Sequence, residues 1–392
     1  MWKFTILSMK TRHNRIWAAL LLLAALLVST LSPALAEEHM PQVADVARKS
    51  VHIRAVGDLM MHQRQLDLAW REGGAYDFDP QYALVKDSLS DADYTIANLE
   101  TTIGLYGNQP YSGYPRFNAP ESLLDTIRAA GVDFLTLANN HMLDRYFEGM
   151  LTTVERVDQW GFDHGGAYRT PKEAATPVAV EVNGVKIGFL CYTAHTNGME
   201  RYCDAGATEY GISYLKDADF AADVEALRAA GAEFIVCLPH WGTEYQRRPD
   251  ADVRQTALKM AEAGVDVILG SHPHMVQPME WLEVDTPQGA RRTLVAWSMG
   301  NFISNMKIQY TDSGVIVDFT IVEQPDGSYA VEDVGYVPIY CWRQENCIQA
   351  LCSGEYLETP PSGMADSTWV RLKKSHAELV ELMGDEFRLL EK

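Results

Sequence analysis

A chain of 392 residues, 47% hydrophobic and 22% charged, has the make-up of a folded globular protein with room for one large domain or two ordinary ones. A formal net charge of −20 argues against nucleic acid and anionic lipid as partners. An anionic substrate would need local positive charge, which a bound metal ion supplies.

The N-terminus is set apart. Lys3, Lys10, Arg12 and Arg15 precede an apolar run over residues 16–28, and Ala34-Leu35-Ala36 offers a small-residue cleavage site. This is the layout of a secretory signal peptide, and the apolar run is shorter than the about 20 residues of a membrane span. Residues 1–36 are therefore expected to act as a leader, cleaved or kept as an anchor, with the chain working outside the cytoplasm, secreted or held at the cell surface. Cleavage removes four positive charges and no negative ones, taking the balance to −24. All six cysteines lie beyond it. Export permits disulfides, so a local bridge is expected among Cys341, Cys347 and Cys352, while Cys191 and Cys237 sit in apolar runs and read as buried thiols.

Residues 37–50 read as a polar linker. Residues 51–56 alternate as a first strand ending at Gly57-Asp58-Leu59-Met60, and 94–97 form a second ending at Asn98-Leu99-Glu100. A long loop over 106–120, rich in glycine, proline and aromatics, is of the kind that borders binding sites. Helical spacing over 122–130 stops at Gly131, and a strand over 134–138 runs into Asn139-Asn140-His141. A helix is predicted over 147–160. Residues 178–182 and 185–191, joined by Asn183-Gly184, predict a hairpin.

A helix over 219–230, a strand over 234–238 running into Pro239-His240-Trp241-Gly242, and a helix over 253–263 follow. The next strand closes on Gly270-Ser271-His272-Pro273-His274, where Gly270 permits a sharp turn and Pro273 biases His272 towards extended backbone. This alternation of strands and helices is that of an α/β layered fold. Runs at 293–297, 315–321 and 329–340 suit a second sheet. Residues 341–392 read as a cysteine-containing extension closing in a helix, which docks by Trp369, Leu372, His376, Leu379 and Met383.

Five strand-like runs end in Asp58, Glu100, Asn140 with His141, His240, and His272 with His274. Groups just past the carboxyl ends of strands gather at one edge of an α/β sheet, where such folds place ligands. Carboxylate, amide oxygen and imidazole without thiolate suit divalent ions of the manganese, iron or zinc type. Taken singly, Asp58 also suits a turn or helix cap, Asn140 a left-handed turn, His240 a structural imidazole and Glu100 a solvated position. Arg54, Arg64, Arg116, Arg145, Arg247 and Arg248 lie near these segments in sequence and are candidates for local positive charge.

The set GDLM (57–60), NLE (98–100), ANNH (138–141), PHWG (239–242), GSHPH (270–274) and GNF (300–302), spread over about residues 51–305, resembles the CapA family of poly-γ-glutamate capsule biosynthesis proteins. That family is similar to the calcineurin-like metallophosphatases. The resemblance implies an αββα four-layer sandwich, here over residues 51–340, with one or two divalent metal ions at one sheet edge. Carried onto this chain, Asp58 binds one ion and Glu100 sits between two. Asn140, His240 and His272 complete the second, and His274 returns to the first. His141 faces the substrate as general acid or as a clamp on a developing anion, and Asn98, Glu244 and Asn301 orient ligands or substrate. The wider phosphatase pattern opens with Asp-x-His, whereas this chain has Asp58-Leu59-Met60, and a thioether is a poor ligand for a hard ion.

The function so implied is capsule biosynthesis with a metal-dependent, hydrolase-like site. Its substrate would be an anionic polymer or a phospho- or γ-glutamyl compound, its neighbours the membrane proteins of capsule synthesis, with no nucleic acid. A non-catalytic subunit for polymer assembly or export is the alternative, as is a general extracytoplasmic phosphodiesterase or nucleotidase.

Overall fold

Two sheets meet face to face, and side-chain alternation along their strands decides which layer each residue joins. The computed structural model describes residues 48–104, 110–286 and 289–391, so the leader read at 1–36 and most of the linker lie outside the described residues. From Arg48 onward the chain forms one unit.

In chain order, β1 (Ser50–Leu59), β2 (Tyr94–Leu99), β3 (Phe134–Thr136) and β4 (Asp163–Gly165) lie side by side and parallel. The Asn183-Gly184 hairpin joins β5 (Val178–Val182) to β6 (Val185–Thr193), as its turn chemistry predicts. Next come β7 (Phe234–His240), β8 (Val267–Leu269), β9 (Met279–Thr286) and β10 (Gly289–Ala296), which with the hairpin make a sheet of order β9-β10-β8-β7-β6-β5. The chain then returns to the first sheet. There β11 (Asn301–Ile303) pairs with β1, and β12 (Ser313–Glu323), β13 (Tyr329–Arg343) and β14 (Ile348–Cys352) extend it as β14-β13-β12-β1-β2-β3-β4.

Helices cover both outer faces. Ile53, Ala55, Ile96 and Phe134 of the first sheet meet Phe189, Cys191, Val236, Leu238, Val267 and Leu269 of the second in the central core. The alternate residues point outwards. Val56, Leu99 and Leu135 pack on α1 (Ser122–Ala129) and α2 (Tyr146–Gln159), while Leu190, Ile235, Cys237 and Ile268 pack on α3 (Phe220–Ala229) and α4 (Ala251–Ala263). Burial on both faces is why these strands read as continuous apolar runs. The architecture is the αββα four-layer sandwich that the resemblance implied. No helix among the described residues is long and apolar enough to cross a membrane.

Three expectations change. Residues 293–297 and 315–321 do not share a sheet: the former lie in β10 beside β8, the latter in β12 beside β1. The boundary at 340 falls inside β13, and β14 with α5 (Asp366–Met383) belongs to the same unit, with Leu379 and Met383 of the helix joining the central core. The bridge among Cys341, Cys347 and Cys352 does not form: no disulfide joins any of the six cysteines. Strand register explains this for Cys341 and Cys352: Cys341 faces Ala350 and Cys352 faces Ile339, two rungs apart and too distant for the geometry of a disulfide. Cys191 and Cys237 are buried thiols, as read.

Candidate metal centre

The carboxyl ends of the parallel strands of both sheets open onto one edge. There β1 delivers Asp58, β2 delivers Asn98 with Glu100 just beyond, the turn after β3 delivers Asn139, Asn140 and His141, and β7 ends on His240. After β8 the chain passes so close to the second sheet that a Cβ at Gly270 would lie 2.1 Å from the Trp297 carbonyl oxygen. Close approach, not an unusual φ, is what that position requires. The left-handed residues are His272 and His274, at φ 98° and 58°, so His272 is not extended as Pro273 suggested. Such backbone costs on the order of 1–3 kcal/mol per residue, and its recurrence in one turn marks a loop held in place by its surroundings.

The side chains converge. Asp58 Oδ2 lies 3.0 Å from His274 Nδ1, and Glu100 Oε1 lies 3.9 Å from His274 Nε2. Ligand atoms of Asp58, Glu100 and His274 fall within 4.8 Å of one another. On the other side of Glu100, its Oε1 is 3.7 Å from His240 Nε2, which is 2.9 Å from Asn140 Oδ1 and 3.1 Å from His272 Nδ1. Glu100 thus stands between one group of Asp58 with His274 and another of Asn140, His240 and His272. The six residues assigned as ligands by resemblance share one buried pocket.

The electrostatics of the pocket are unbalanced. Burial and the neighbouring Asp58 push the Glu100 carboxyl well above the usual carboxylate range. Burial, then His272 and His274, hold His240 well below its ordinary value, and burial with His274 pushes His272 down to about 3. Neutral imidazoles keep the lone pairs that a cation needs. Glu100 Oε1 is buried with no hydrogen-bond donor, although buried polar atoms are otherwise nearly always satisfied. A divalent cation supplies what these oxygens and nitrogens lack, so the donor set fits such an ion.

A second layer fixes the ligands. The Asn98 amide donates to Asp58 Oδ1 at 2.8 Å and to Glu100 Oε2 at 3.2 Å, and lies 3.4 Å from His240 Nδ1. Ser271 Oγ, 2.9 Å from His240 Nδ1, steers the other ring nitrogen inwards. Asn139 donates to Asn98 Oδ1 and to the Leu99 carbonyl, and accepts from the His141 backbone N–H. His141 Nδ1 lies 2.7 Å from Asp144 Oδ2, which also accepts the Phe117 N–H at 2.7 Å. The Phe117 ring stands edge-on to His141, with centroids 4.6 Å apart.

Other predicted residues are placed differently. Asn301 pairs with Asp58 in strand register, but its amide donates to the Thr311 carbonyl at 3.0 Å, which makes it a brace for the following loop. Glu244 is half-buried on the loop after β7, close enough to add to the upward push on Glu100. Arg54 is locked to Asp318, Arg64 donates to the Glu345 carbonyl, and Arg247 donates to the Glu378 carbonyl. Of the six candidates, Arg116 and Arg145 lie beside the His141 turn, next to Phe117 and Asp144.

Ser271, Asp144, Phe117, His62 and the loop after β6 were not picked out from sequence. His62 stacks edge-on with Phe117, and its pKa is pushed down to about 4 by burial, then by His274 and His141. In the loop after β6, His195 stands 5.2 Å from the His272 ring, centroid to centroid, and the Asn140 amide donates to Asn197. Thr193-Ala194-His195-Thr196-Asn197 carries the same signal as the other strand ends, polar groups just past an apolar run.

The chain is similar to the capsule biosynthesis protein CapA of Bacillus anthracis, at 27% identity over 331 residues covering 83% of this chain and 76% of that protein. It is similar to the PGA biosynthesis protein CapA of Bacillus subtilis at 24% identity over 302 residues, covering 75% and 74%. Among solved structures it is similar to the calcineurin-like phosphoesterase YfkN of Bacillus subtilis, with 14% identity and a TM-score of 0.41 over 85% of this chain and 98% of that one. The model of one family matches residues 52–306, which hold all six motifs: the chain belongs to the bacterial capsule synthesis protein family PGA_cap.

Proposed function

We propose that this protein is a metal-dependent hydrolase acting outside the cytoplasm in the synthesis of an anionic capsular polymer, of the poly-γ-glutamate kind. Family membership and the names of its CapA relatives support the process. The leader-like layout of residues 1–36 supports export, and with it membrane-bound capsule proteins as neighbours. The observation that carries the chemistry is Glu100, a buried carboxylate with an orphaned oxygen lying between an Asp–His group and an Asn–His–His group.

In this reading Asp58, Glu100 and His274 hold one cation position, and Glu100, Asn140, His240 and His272 a second. A cation there supplies Lewis acidity, neutralising charge that develops at the reacting centre and making water more acidic. The chain's own groups do the rest. Asp144 fixes the His141 proton on Nδ1 and steadies the imidazolium, so Nε2 is the atom that passes a proton to the leaving group. Phe117 packs against one side of that ring, and Asn98 keeps Asp58 and Glu100 in place without adding charge.

His141→Ala tests this. Metal content should stay near that of wild type, while turnover of a phosphodiester or γ-glutamyl substrate should fall about 10²–10⁴-fold, the usual worth of a general acid. Metal-loaded wild type that turns over neither class would reject the hydrolase. Met60, standing where wider phosphatases carry a histidine, favours the second reading, a polymer assembly subunit that keeps the fold without turnover.

A further inference from the structure

We infer that Arg116 forms an anion subsite at the mouth of this centre, which grips a carboxylate of the polymer away from the bond being cut. This rests on the reading of the centre as one that handles an anionic polymer. Three observations place the guanidinium. First, Arg116 precedes Phe117, whose ring lies on His141 and whose N–H shares Asp144 with His141 Nδ1, so its backbone is one residue from the proton-transfer pair.

Second, the side chain is held between Tyr146 and Met199. Arg116 Nη1 donates to the Tyr146 hydroxyl at 3.0 Å, its guanidinium carbon lies 5.0 Å from the Tyr146 ring centre, and Nη2 lies 3.3 Å from the Met199 sulfur. Met199 is two residues beyond Asn197, which accepts from the ligand residue Asn140. The guanidinium therefore spans from the His141 turn to the loop that backs Asn140. Third, the support is built rather than incidental. Tyr146 holds a left-handed φ of 60° at the start of α2, and Arg145 donates to the Arg116 carbonyl at 3.1 Å.

Arg116 is half-exposed and makes no ion pair with a carboxylate among the described residues. A hydroxyl, a ring face and a thioether orient it but leave its charge unneutralised. A planar guanidinium in that state matches the two oxygens of a carboxylate, and on a chain of net charge −20 it gives the pocket the local attraction that the rest of the surface withholds.

The test is calorimetric titration of the manganese-loaded full chain with a synthetic γ-linked tetraglutamate and with the same peptide carrying amides in place of its side carboxylates. Arg116→Gln should weaken binding of the acid at least about tenfold, the scale of a charge-assisted hydrogen-bonded pair. Arg116→Lys, which keeps the charge and loses the fork, should recover part of it. The wild-type preference for acid over amide should shrink by the same factor in Arg116→Gln, since the two changes remove one interaction. Metal content and melting temperature of both variants report an intact pocket. Arg116→Gln binding the acid within twofold of wild type overturns the subsite, and so does wild type that fails to bind the acid. Arg116-dependent binding without turnover would support the subsite while sinking the hydrolase.

Discussion

Strand β1 carries two buried charged regions four residues apart, and they differ in kind. At Arg54, the guanidinium Nε and the His52 ring both reach Asp318 Oδ2 at 2.8 Å, with the Arg54 and Asp318 side chains 5% and 6% exposed. Burial alone would raise Asp318, yet the hydrogen bonds from His52 and Arg54 hold it below the usual carboxylate range. At Asp58 the neighbours are a second carboxylate, an amide and an imidazole, with His240 held well below its ordinary value beyond Glu100, and Glu100 is pushed the other way. Both regions are buried and both mix acids with histidines. Only the second collects lone pairs without the protons or charges to meet them, and that imbalance marks a cation site where burial by itself does not.

The largest expected effect is at the closed region. Asp318→Asn takes from the buried Arg54 its nearer carboxylate, leaving the exposed Asp91 at 3.7 Å, and should cost about 3–5 kcal/mol in urea denaturation, by the same amount with and without chelator. A cost that changed with chelator would break the distinction between the two regions. Glu100→Gln should show the opposite dependence. In metal-free protein it removes a carboxyl that must either stay charged beside Asp58 or take up a proton on folding, and so should stabilise the fold at neutral pH. In metal-loaded protein it removes a ligand, so the stability that a bound ion adds should be lost. A variant less stable than wild type in both states would show that Glu100 holds the fold, not a cation.

Much of this edge was legible because it depends on local pattern. An apolar run followed at once by Asp, Glu, Asn-His or His places those groups past the end of a strand whatever its partners are. What depends on pairing was not legible. Residues 293–297 and 315–321 look alike in sequence, and only the chain's path after β10 puts one in each sheet. The register of β13 against β14 keeps Cys341 and Cys352 two rungs apart, a separation that spacing alone does not give. Asp144 looks like an ordinary acidic residue before a helix, and its place under His141 comes from the turn over 139–144. The strand end at Thr193 carries the same signal as its neighbours, but a hairpin predicted over 178–191 stops two residues short of it.

The smallest effect sharpens the comparison through pH. The hydrogen bond to Asp318 raises the His52 pKa above its ordinary 6.5. A raised pKa means the folded chain holds the proton more tightly, so the stability gained is fully present below pH about 6.5 and fades as pH climbs through the folded value. Asp318, held low, contributes the opposite way: its stabilisation is present above pH about 3.9 and is lost as pH falls through its folded value. Between those limits the pair is at full strength. His52→Gln, which keeps a donor but cannot charge, should therefore lower stability more at pH 6 than at pH 9. His52 is 30% exposed, so solvent screening keeps the difference to no more than about 1 kcal/mol. Melting curves in chelator at the two pH values separate this from any effect of metal, and a penalty equal at both, or larger at pH 9, would mean that the Arg54–Asp318 pair is closed without the help of a charged His52.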